Sequence, residues 1–301
     1  MRWEDERLSS NVEDDRGDGG GFGGFGGGGG GFPIMFGGGG LGAVVLVGLA
    51  LLFGVDPRGL MQGGGGQYSA PAATDTGQPT GLHSDDEDAR FASAVLAYTE
   101  DTWTQAFMQR GATYQPPTLV LYDQGHQTGC GFGQSAMGPF YCPADRKVYL
   151  DLGFFHELSD RFGAPGRFAE AYVIAHEVGH HVQNLLGISD QAQAAEQQAG
   201  SRVGANQVSV RVELQADCFA GVWAARTNQT RHFLDAGDID QGLAAASAVG
   251  DDTLQKETQG RVVPDAFTHG TSAQRTRWFR RGFDDPRIEA CDTFGVDYGR
   301  L

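Results

Sequence analysis

The stretch A-Y-V-I-A-H-E-V-G-H-H-V-Q-N-L-L-G, residues 171–187, is an apolar segment that carries three histidines and one glutamate within six residues. Helical residues four apart lie one turn apart on one face, so His176 and His180 point the same way, close enough to bind one ion. Zn²⁺ readily accepts imidazole nitrogen. Glu177 lies about 100° further round the helix, where it reaches a water on such an ion rather than the ion itself. This is the H-E-x-x-H arrangement of two metal ligands and a general base.

The alternative for this segment is a core helix whose histidines are satisfied structural groups. The apolar flanks predict that the helix is buried, and a buried Glu177 without a metal would incur a large desolvation cost. A metal site is therefore the expected arrangement. His181 follows His180 directly and points elsewhere, so it is expected to support the fold or to orient a ligand rather than to bind the ion.

A third ligand is expected from the later stretch V-E-L-Q-A-D-C-F-A-G-V-W, because a catalytic zinc has three protein ligands and one open position. Glu213 lies there in apolar surroundings, 33 residues after His180, which leaves room for a helical return. Asp217 lies four residues later on the same face. Ligand imidazoles usually donate their other N–H to a carboxylate, so Asp217 is expected to serve His176. The alternative for Glu213 and Asp217 is a solvated helix face, and Glu196, in a polar segment, is a weaker candidate for the third ligand.

The expected chemistry follows from the charge of the ion. Zinc lowers the pKa of a bound water and polarises a carbonyl, while Glu177 takes the proton and passes it to a leaving amine. The developing oxyanion needs a further donor, and His269 and Tyr149 are candidates. A surface or capping role is equally compatible with either. The apolar run at 147–155 is an edge strand that takes an extended peptide, or else an interior strand.

The periodicity predicts an α+β domain, mostly helical with a small sheet. The expected helices cover 85–111, 168–186, 208–226 and 239–254, with a polar helix capped by Ser189 and a last helix capped by Ser272. The expected strands cover 118–123 and 147–155, separated by a glycine-rich loop over 124–139.

The N-terminal part of the chain is expected to lie outside this domain. Residues 1–40 are charged and then glycine-rich, which predicts a disordered tail. Residues 41–55 are apolar, and the uncharged run over 32–55 is long enough to span a bilayer, which predicts an uncleaved transmembrane signal anchor over 41–56. The composition of residues 57–84 predicts a flexible linker, and the folded domain with the metal site is expected over 85–301.

The net charge and the cysteines limit which partners and which cellular location the protein can have. The net charge of -16 argues against nucleic acid as a partner. Arginines 2, 7 and 16 precede the apolar segment and Arg58 follows it, which favours a single-pass topology with a cytoplasmic N-terminus and an extracytoplasmic domain. Outside the cytosol, Cys130 and Cys142, which flank the glycine-rich loop, are expected to pair and to leave Cys218 with Cys291. The alternative is four free thiols.

The H-E-x-x-H helix followed by E-x-x-x-D resembles the glutamate-ligand zincins. Nearly the whole chain resembles the YpfJ-type family of bacterial predicted neutral zinc metallopeptidases. The residues that carry this resemblance are R-W-E-D-E-R-L-S-S-N-V-E-D-D-R-G, G-P-F-Y-C-P-A-D-R-K-V-Y-L-D-L-G-F-F, A-Y-V-I-A-H-E-V-G-H-H-V-Q, V-E-L-Q-A-D-C-F-A-G-V-W and H-G-T-S-A-Q-R, with the glycine run and the apolar segment. The resemblance implies a zincin-like catalytic domain on a membrane-tethered stalk. Carried over by position, it implies one Zn²⁺ per chain on His176, His180 and Glu213, with Glu177 catalytic.

The expected function is a membrane-anchored zinc endopeptidase that acts on a protein or peptide substrate. One alternative is a non-catalytic, zinc-stabilised binding or scaffold domain at the cell envelope, for which four protein ligands would be typical. A zinc hydrolase of a non-peptide amide and an exopeptidase also stay open at this point.

Overall fold

The computed structural model describes residues 1–17, 86–135 and 138–301. These residues form an α+β fold that is mostly helical with a small sheet, as the sequence predicts. The strands are β1 (Val12–Asp14), β2 (Thr118–Leu121), β3 (Gly125–Thr128), β4 (Gly131–Gln134), β5 (Phe140–Cys142) and β6 (Lys147–Leu150). The helices are α1 (Glu87–Gln109), α2 (Gly153–Asp160), α3 (Arg167–Leu185), α4 (Ile188–Gln198), α5 (Arg202–Arg231), α6 (Asp238–Ala248), α7 (Asp251–Gln259) and α8 (Ser272–Asp284).

The main sheet has the strand order β1-β2-β6-β5, in which β1, β2 and β6 are parallel and β5 is antiparallel to β6. The predicted strand over 147–155 is therefore an interior strand, and it ends at Leu150 because helix α2 begins at Gly153. Among the described strands, β1 and β5 form the two edges of this sheet, and β5 lies in a stretch where no strand was predicted. The predicted loop over 124–139 contains the antiparallel hairpin β3–β4.

The two helices that carry the sequence motifs form the centre of the fold. Helix α3 presents buried residues on nearly every face, and the middle of α5 is buried likewise. Helix α5 runs from Arg202 to Arg231, longer at both ends than the predicted 208–226. Both helices pack in the main core, so the histidines and acids of the motifs are held in a rigid interior rather than on a surface.

Three helix boundaries differ from the sequence expectation. The predicted helix over 239–254 is broken into α6 and α7 at Gly250, where a Cβ would lie 2.4 Å from the backbone nitrogen of Ser272. Helix α4 begins after Gly187, which is in the left-handed region, so Ser189 is not its cap. Helix α8 is capped by Thr271 in a capping box with Gln274, one residue before the predicted cap.

The prediction of a disordered tail is wrong for residues 1–17, which are part of the folded domain. Strand β1 adds a parallel strand to the sheet beside β2. Trp3 is buried, and its ring packs edge-on against Phe91 of α1 with centroids 5.3 Å apart. Burial of a tryptophan and the pairing of a strand stabilise the segment in spite of its many charges.

The charged groups of this segment also have specific partners on α1. Arg7 Nη1 lies 3.0 Å from Oε2 of Glu100, and Arg16 Nη1 lies 2.7 Å from Oδ2 of Asp86. Since Glu100 is buried, its carboxylate needs such a partner. The folded domain therefore comprises residues 1–17 together with the predicted C-terminal domain.

Among the described residues, no helix combines the length and the apolar character that crossing a bilayer requires. The predicted transmembrane segment over 41–56, the glycine-rich part of the tail and the linker over 57–84 all lie outside the described residues.

All four cysteines are paired in disulfides. Cys130 is bonded to Cys142 and Cys218 to Cys291, which is the pairing that the sequence led us to expect. The first bond ties the turn of the β3–β4 hairpin to the edge strand β5. The second ties the middle of α5 to the short 3₁₀ helix at Ile288–Cys291.

Candidate metal centre and active site

His176 and His180 of α3 meet Glu213 of α5 in a cluster whose ligand atoms all lie within 4.8 Å of one another. Nε2 of His176 is 3.3 Å from Oε2 of Glu213, and Nε2 of His180 is 3.5 Å from Oε1 of the same carboxylate. Ligands about 2.1 Å from a tetrahedral zinc lie about 3.4 Å from one another. The two distances from the imidazoles to Glu213 therefore fit a zinc ion bound between them.

A glycine between the two histidines lets the helices approach this closely. A Cβ on Gly179 would lie 3.0 Å from the backbone oxygen of Ala216. Ala216 is itself small and lies between Glu213 and Asp217 in the sequence. The absence of bulk on both sides brings α5 near enough for Glu213 to reach the imidazoles of α3.

The carboxylate of Asp217 accepts a hydrogen bond from Nδ1 of His176, the ring nitrogen that faces away from the metal position. Its Oδ1 lies 2.9 Å from Nδ1 of His176, and the Tyr172 hydroxyl donates to the same oxygen. Arg275 of α8 donates to both carboxylate oxygens at 2.9 Å. Burial raises the pKa of Asp217, but Arg275 and His176 outweigh this and hold that pKa below its usual range. The ionised carboxylate accepts the Nδ1–H of His176 and leaves Nε2 for the metal.

The side-chain oxygen of Gln183 orients His180 in the same way, by accepting a hydrogen bond from its Nδ1. The sequence analysis did not identify Gln183 as a site residue. Its Nε2 donates to the carbonyl of Val212 at 2.7 Å and to Oε1 of Gln215 at 3.0 Å. Its oxygen is thereby left facing Nδ1 of His180, at 2.9 Å. His180 donates Nδ1–H to that oxygen, so its Nε2 also faces the metal position. The signal in the sequence was a polar residue three positions after a ligand, on the same helix face.

Glu177 is buried beside the ligands with one carboxylate oxygen that has no hydrogen-bond partner among the described residues. The backbone N–H of Tyr141, on the edge strand, lies near this carboxylate and lowers its pKa. Burial raises the pKa of Glu177 to about 7; His176 opposes this rise and Glu213 adds to it. A carboxylate with a pKa near neutrality and a free oxygen is suited to take a proton from a water molecule.

A cavity of about 70 Å³ opens over these groups. It is lined by Pro139, Phe154, Tyr172, Val173, His176, Glu177, His180, Glu213, Val249, His269 and Arg275. Pro139, Phe154, Val173 and Val249 are apolar, so part of the cavity lining is apolar. Its volume suits one side chain or a short piece of a substrate rather than a whole small molecule.

The structure brings His269 into this cavity and leaves Tyr149 out. Nδ1 of His269 lies 3.2 Å from Oδ1 of Asp251, whose other oxygen accepts the backbone N–H of His269 at 2.6 Å. Burial lowers the pKa of His269, but Asp251 reverses the effect, so that pKa lies above its usual value. The Tyr149 hydroxyl donates instead to Asp145 at 2.7 Å, and its ring stacks on Phe140.

The two other residues considered from the sequence are not ligands. His181 is fully buried, with Nε2 2.6 Å from the carbonyl oxygen of Gln115. Glu196 accepts a hydrogen bond from Ser209 at 2.9 Å and does not line the cavity.

Comparison with known proteins gives a consistent result. The sequence model of a protein family described as "Putative neutral zinc metallopeptidase" matches residues 1–294. The uncharacterized protein YpfJ of Escherichia coli K12 is 51% identical over 295 residues, covering 98% of this chain and 99% of that protein. An uncharacterized protein of Mycobacterium tuberculosis H37Rv is 41% identical over 262 residues, covering 82% of this chain and 85% of the relative. No solved structure matches significantly.

The family match covers the N-terminal strand, the sheet and both motif helices, and the donor set of the cluster suits the zinc ion that the family description names. This chain belongs to the neutral zinc metallopeptidase family.

Proposed function

We propose that this protein is a zinc-dependent metallopeptidase that hydrolyses peptide bonds with Glu177 as its general base. The observation that carries the proposal is the position of Glu177. It is buried beside three metal-ligating side chains, it lines the cavity, and one of its oxygens has no partner among the described residues. A buried carboxylate oxygen without a partner is costly, and this cost points to a function for the group.

The metal ligands and Glu177 have different roles in the proposed hydrolysis. His176, His180 and Glu213 would hold the zinc ion, which when bound polarises the substrate carbonyl and acidifies the attacking water. Glu177 removes one proton from that water and delivers it to the amine nitrogen as the peptide bond breaks. The carboxylate is thereby regenerated at the end of the cycle, and the water is divided between the new acid and the new amine.

His269 is the proposed donor to the developing oxyanion. Asp251 accepts from Nδ1 of His269 and favours the charged imidazole, which leaves Nε2–H as a donor in the cavity. Such a donor is preorganised, since two backbone N–H groups of the same loop, at His269 and Gly270, are fixed by Asp251 as well. Loss of one oxyanion donor typically lowers kcat by about 10²–10³.

The test is the variant Glu177→Gln in the full-length, zinc-loaded protein, assayed with a mixture of fluorescence-quenched peptides. We expect bound zinc to stay at one equivalent and kcat/KM to fall at least about 10²-fold, because general-base catalysis is lost. Glu170→Gln is the matched control: Glu170 lies on the same helix, pairs with Arg167 and does not line the cavity. Peptide cleavage by Glu177→Gln at the rate of the control would overturn the mechanism.

A zinc-stabilised scaffold without turnover is the alternative. Structural zinc sites are usually closed by four protein ligands, whereas the cluster found among the described residues has three. This difference favours the enzyme. The scaffold alternative predicts bound zinc, a zinc-dependent melting temperature and no cleavage of any peptide in the mixture. Blocking the substrate at either terminus separates endopeptidase from exopeptidase activity, and non-peptide amides can be assayed beside the peptides.

We propose further that the domain works outside the cytoplasm and is attached to the membrane by the apolar segment over 41–56. The two disulfides support an oxidising compartment. The expected single-pass orientation conflicts with the pairing of β1 with β2, because one crossing between them would put the two strands on opposite sides of the bilayer. We therefore place residues 1–17 on the same side as the domain. Reporter fusions at the N-terminus and at the C-terminus test this placement.

A further inference from the structure

A chain of hydrogen bonds leads from the metal ligand His180 to the disulfide between Cys218 and Cys291. Nδ1 of His180 lies 2.9 Å from Oε1 of Gln183, and Nε2 of Gln183 donates to Oε1 of Gln215 at 3.0 Å. Nε2 of Gln215 donates in turn to the carbonyl oxygen of Cys291 at 2.9 Å. Three hydrogen bonds therefore connect a metal ligand to a residue of a disulfide. We call Gln183 and Gln215 the amide relay.

Two backbone carbonyls fix the orientation of both amides in the relay. A carbonyl oxygen only accepts hydrogen bonds, so the NH₂ group of each amide must face it. For Gln215 this carbonyl belongs to Cys291, which leaves Oε1 of Gln215 facing Gln183. For Gln183 it belongs to Val212, at 2.7 Å, so Gln183 presents its own oxygen to His180. The relay thereby places an acceptor at Nδ1 of His180 and leaves Nε2 of that ring for the metal.

The amide relay is buried and contains no charged group. Gln183 has no exposed surface, and Gln215 is also buried. A flipped amide would place its oxygen against a carbonyl oxygen in a region of low polarity, which is costly. The other histidine ligand, His176, donates to the anion of Asp217, and an ionised acceptor holds a ring more strongly than a neutral one. His180 therefore depends more on the groups that support its acceptor.

The Cys218–Cys291 disulfide holds the far end of the relay. Cys218 lies three positions after Gln215 on α5, so the two side chains are neighbours on one face of the helix. One of them is bonded to Cys291, and the other donates to the carbonyl oxygen of Cys291. The backbone N–H of Thr293 donates to the same oxygen at 3.0 Å. Of these contacts the disulfide is the covalent one, and it keeps the carbonyl of Cys291 within reach of Gln215.

We propose that Gln215 is a positioning residue for the zinc ligand His180 and acts on it through Gln183. The Cys218–Cys291 disulfide supports the same relay, so formation of this disulfide raises the affinity for zinc. Because such a coupling is reciprocal, bound zinc favours the disulfide by the same factor. Bond formation transfers two electrons from the two thiols to a disulfide oxidant such as oxidised glutathione, which takes up their two protons and becomes two thiols.

The proposal rests on the metal site of the proposed function and does not depend on turnover. Its measurements are zinc affinity, the exchange of a ring proton and a thiol–disulfide equilibrium, all made without substrate. Failure to cleave any peptide would overturn the peptidase function and leave the relay intact. Unchanged zinc affinity in the variants described next would overturn the relay and leave the peptidase function intact.

Gln215→Leu tests the relay because leucine has a similar size and forms no side-chain hydrogen bond. The matched control is Gln241→Leu, since Gln241 of α6 accepts a hydrogen bond from the backbone N–H of Phe168 in α3 and does not line the cavity. Competition with a chromophoric chelator measures the zinc affinity of each full-length variant. We expect Gln215→Leu to bind zinc about fivefold more weakly than the control, which is the effect of one lost hydrogen bond. Equal affinities overturn the proposal.

A double-mutant cycle shows whether Gln215 acts through Gln183. Gln183→Leu removes the acceptor of His180 and is expected to weaken zinc binding about 10–100-fold. Adding Gln215→Leu to this variant should cause no further loss, because the orientation of Gln215 no longer reaches His180. Additive losses would mean that the two glutamines act independently, and they overturn the relay.

The ring proton on Nδ1 of His180 gives a signature that a general loss of stability does not produce. In zinc-loaded protein this proton is donated to Gln183, and the corresponding proton of His176 is donated to Asp217. We expect Gln215→Leu to accelerate solvent exchange of the His180 proton about fivefold and to leave the His176 proton unchanged. Nitrogen-15 NMR of histidine-labelled protein measures both protons. Equal changes at the two rings contradict a positioning role.

The disulfide is tested with the double variant Cys218→Ala/Cys291→Ala. The matched control is Cys130→Ala/Cys142→Ala, which removes the disulfide that lies outside the relay. We expect the first variant to bind zinc about fivefold more weakly than the control and to show the faster exchange of the His180 ring proton. Zinc affinity equal to that of the control overturns the coupling of the disulfide to the metal.

The reciprocal measurement uses the wild type and holds even where the double variant fails to fold. The protein is equilibrated with reduced and oxidised glutathione, with zinc or with a chelator, and the thiols of Cys218 and Cys291 are trapped by alkylation and counted by mass spectrometry. We expect the equilibrium constant for disulfide formation to be about fivefold larger with zinc. The same constant in both conditions overturns the coupling.

Discussion

Nδ1 of His176 lies 2.9 Å from Oδ1 of Asp217, and the carboxylate of Asp217 has no exposed surface. This contact joins the metal-binding helix α3 to α5, and Arg275 extends it to α8 through both oxygens of Asp217. The orientation of one ligand is therefore set by three helices. The first prediction follows from this arrangement.

Asp217→Asn is expected to lower the affinity for zinc about 10–100-fold, because His176 loses the anion that fixes its tautomer and Arg275 loses its buried counter-ion. The measurement is competition with a chromophoric chelator. Asp285→Asn is the control, since Asp285 pairs with Arg287 at the surface and contacts no ligand. The same zinc affinity in both variants would show that Asp217 does not support the site.

Gly282→Ala is expected to destabilise the protein by about 1–3 kcal/mol or more. A Cβ on Gly282 of α8 would lie within overlap distance of the carbonyl oxygen of Cys218 on α5, so the two helices would have to separate. Thermal unfolding with and without zinc measures the effect. Gly299→Ala, where a Cβ meets nothing within 4 Å, is the control. A melting temperature equal to that of the control would rule out a tight crossing of α5 and α8.

The two disulfides are expected to differ in their contribution to stability. The Cys218–Cys291 bond closes a sequence separation of 73 residues and the Cys130–Cys142 bond one of 12. In the chain-entropy model the longer loop contributes about 1.5 kcal/mol more. Urea unfolding of the two double cysteine-to-alanine variants measures the difference. A larger loss on removing Cys130–Cys142 would mean that the edge strand, rather than chain entropy, determines stability.

The interaction of His269 with Asp251 is expected to make stability depend on pH. Burial lowers the pKa of His269, Arg275 acts in the same direction, and Asp251 and Glu213 outweigh both, so the folded-state pKa is raised. The contribution is complete below the unfolded pKa of about 6.5 and is lost as the pH rises through the folded pKa. In chelator-treated protein, His269→Gln should therefore cost more unfolding free energy at pH 6 than at pH 9. An equal cost at both values would contradict the assignment.

Much of the metal centre was predictable because it depends on local spacing. His176, Glu177 and His180 share one helix, and Glu213 and Asp217 share another, so the helical repeat alone indicates which side chains lie on one face. The contacts that complete the site are between distant elements. Arg275 of α8 reaches Asp217 of α5, and no spacing in the sequence relates those two positions.

The fold was predictable where apolar periodicity is strong and was mispredicted where short polar or glycine-rich segments depend on tertiary contacts. Strand β5 has three residues and the strands of the β3–β4 hairpin have four each, and the Cys130–Cys142 disulfide links the two elements. Residues 1–17 read as a solvated tail because of their charges. They fold because Trp3 packs against Phe91 in the core and Arg7 pairs with Glu100, and composition alone predicts neither contact.

The ion pair of Arg16 with Asp86, at 2.7 Å, has a practical consequence. The chain departs from the domain and rejoins it at neighbouring points, so a turn of a few glycines can replace the 68 residues numbered 18–85 without displacing β1 or α1. Such a shortened protein would keep every residue of the metal centre. It would be a convenient form for crystallisation and for soaking with peptide inhibitors.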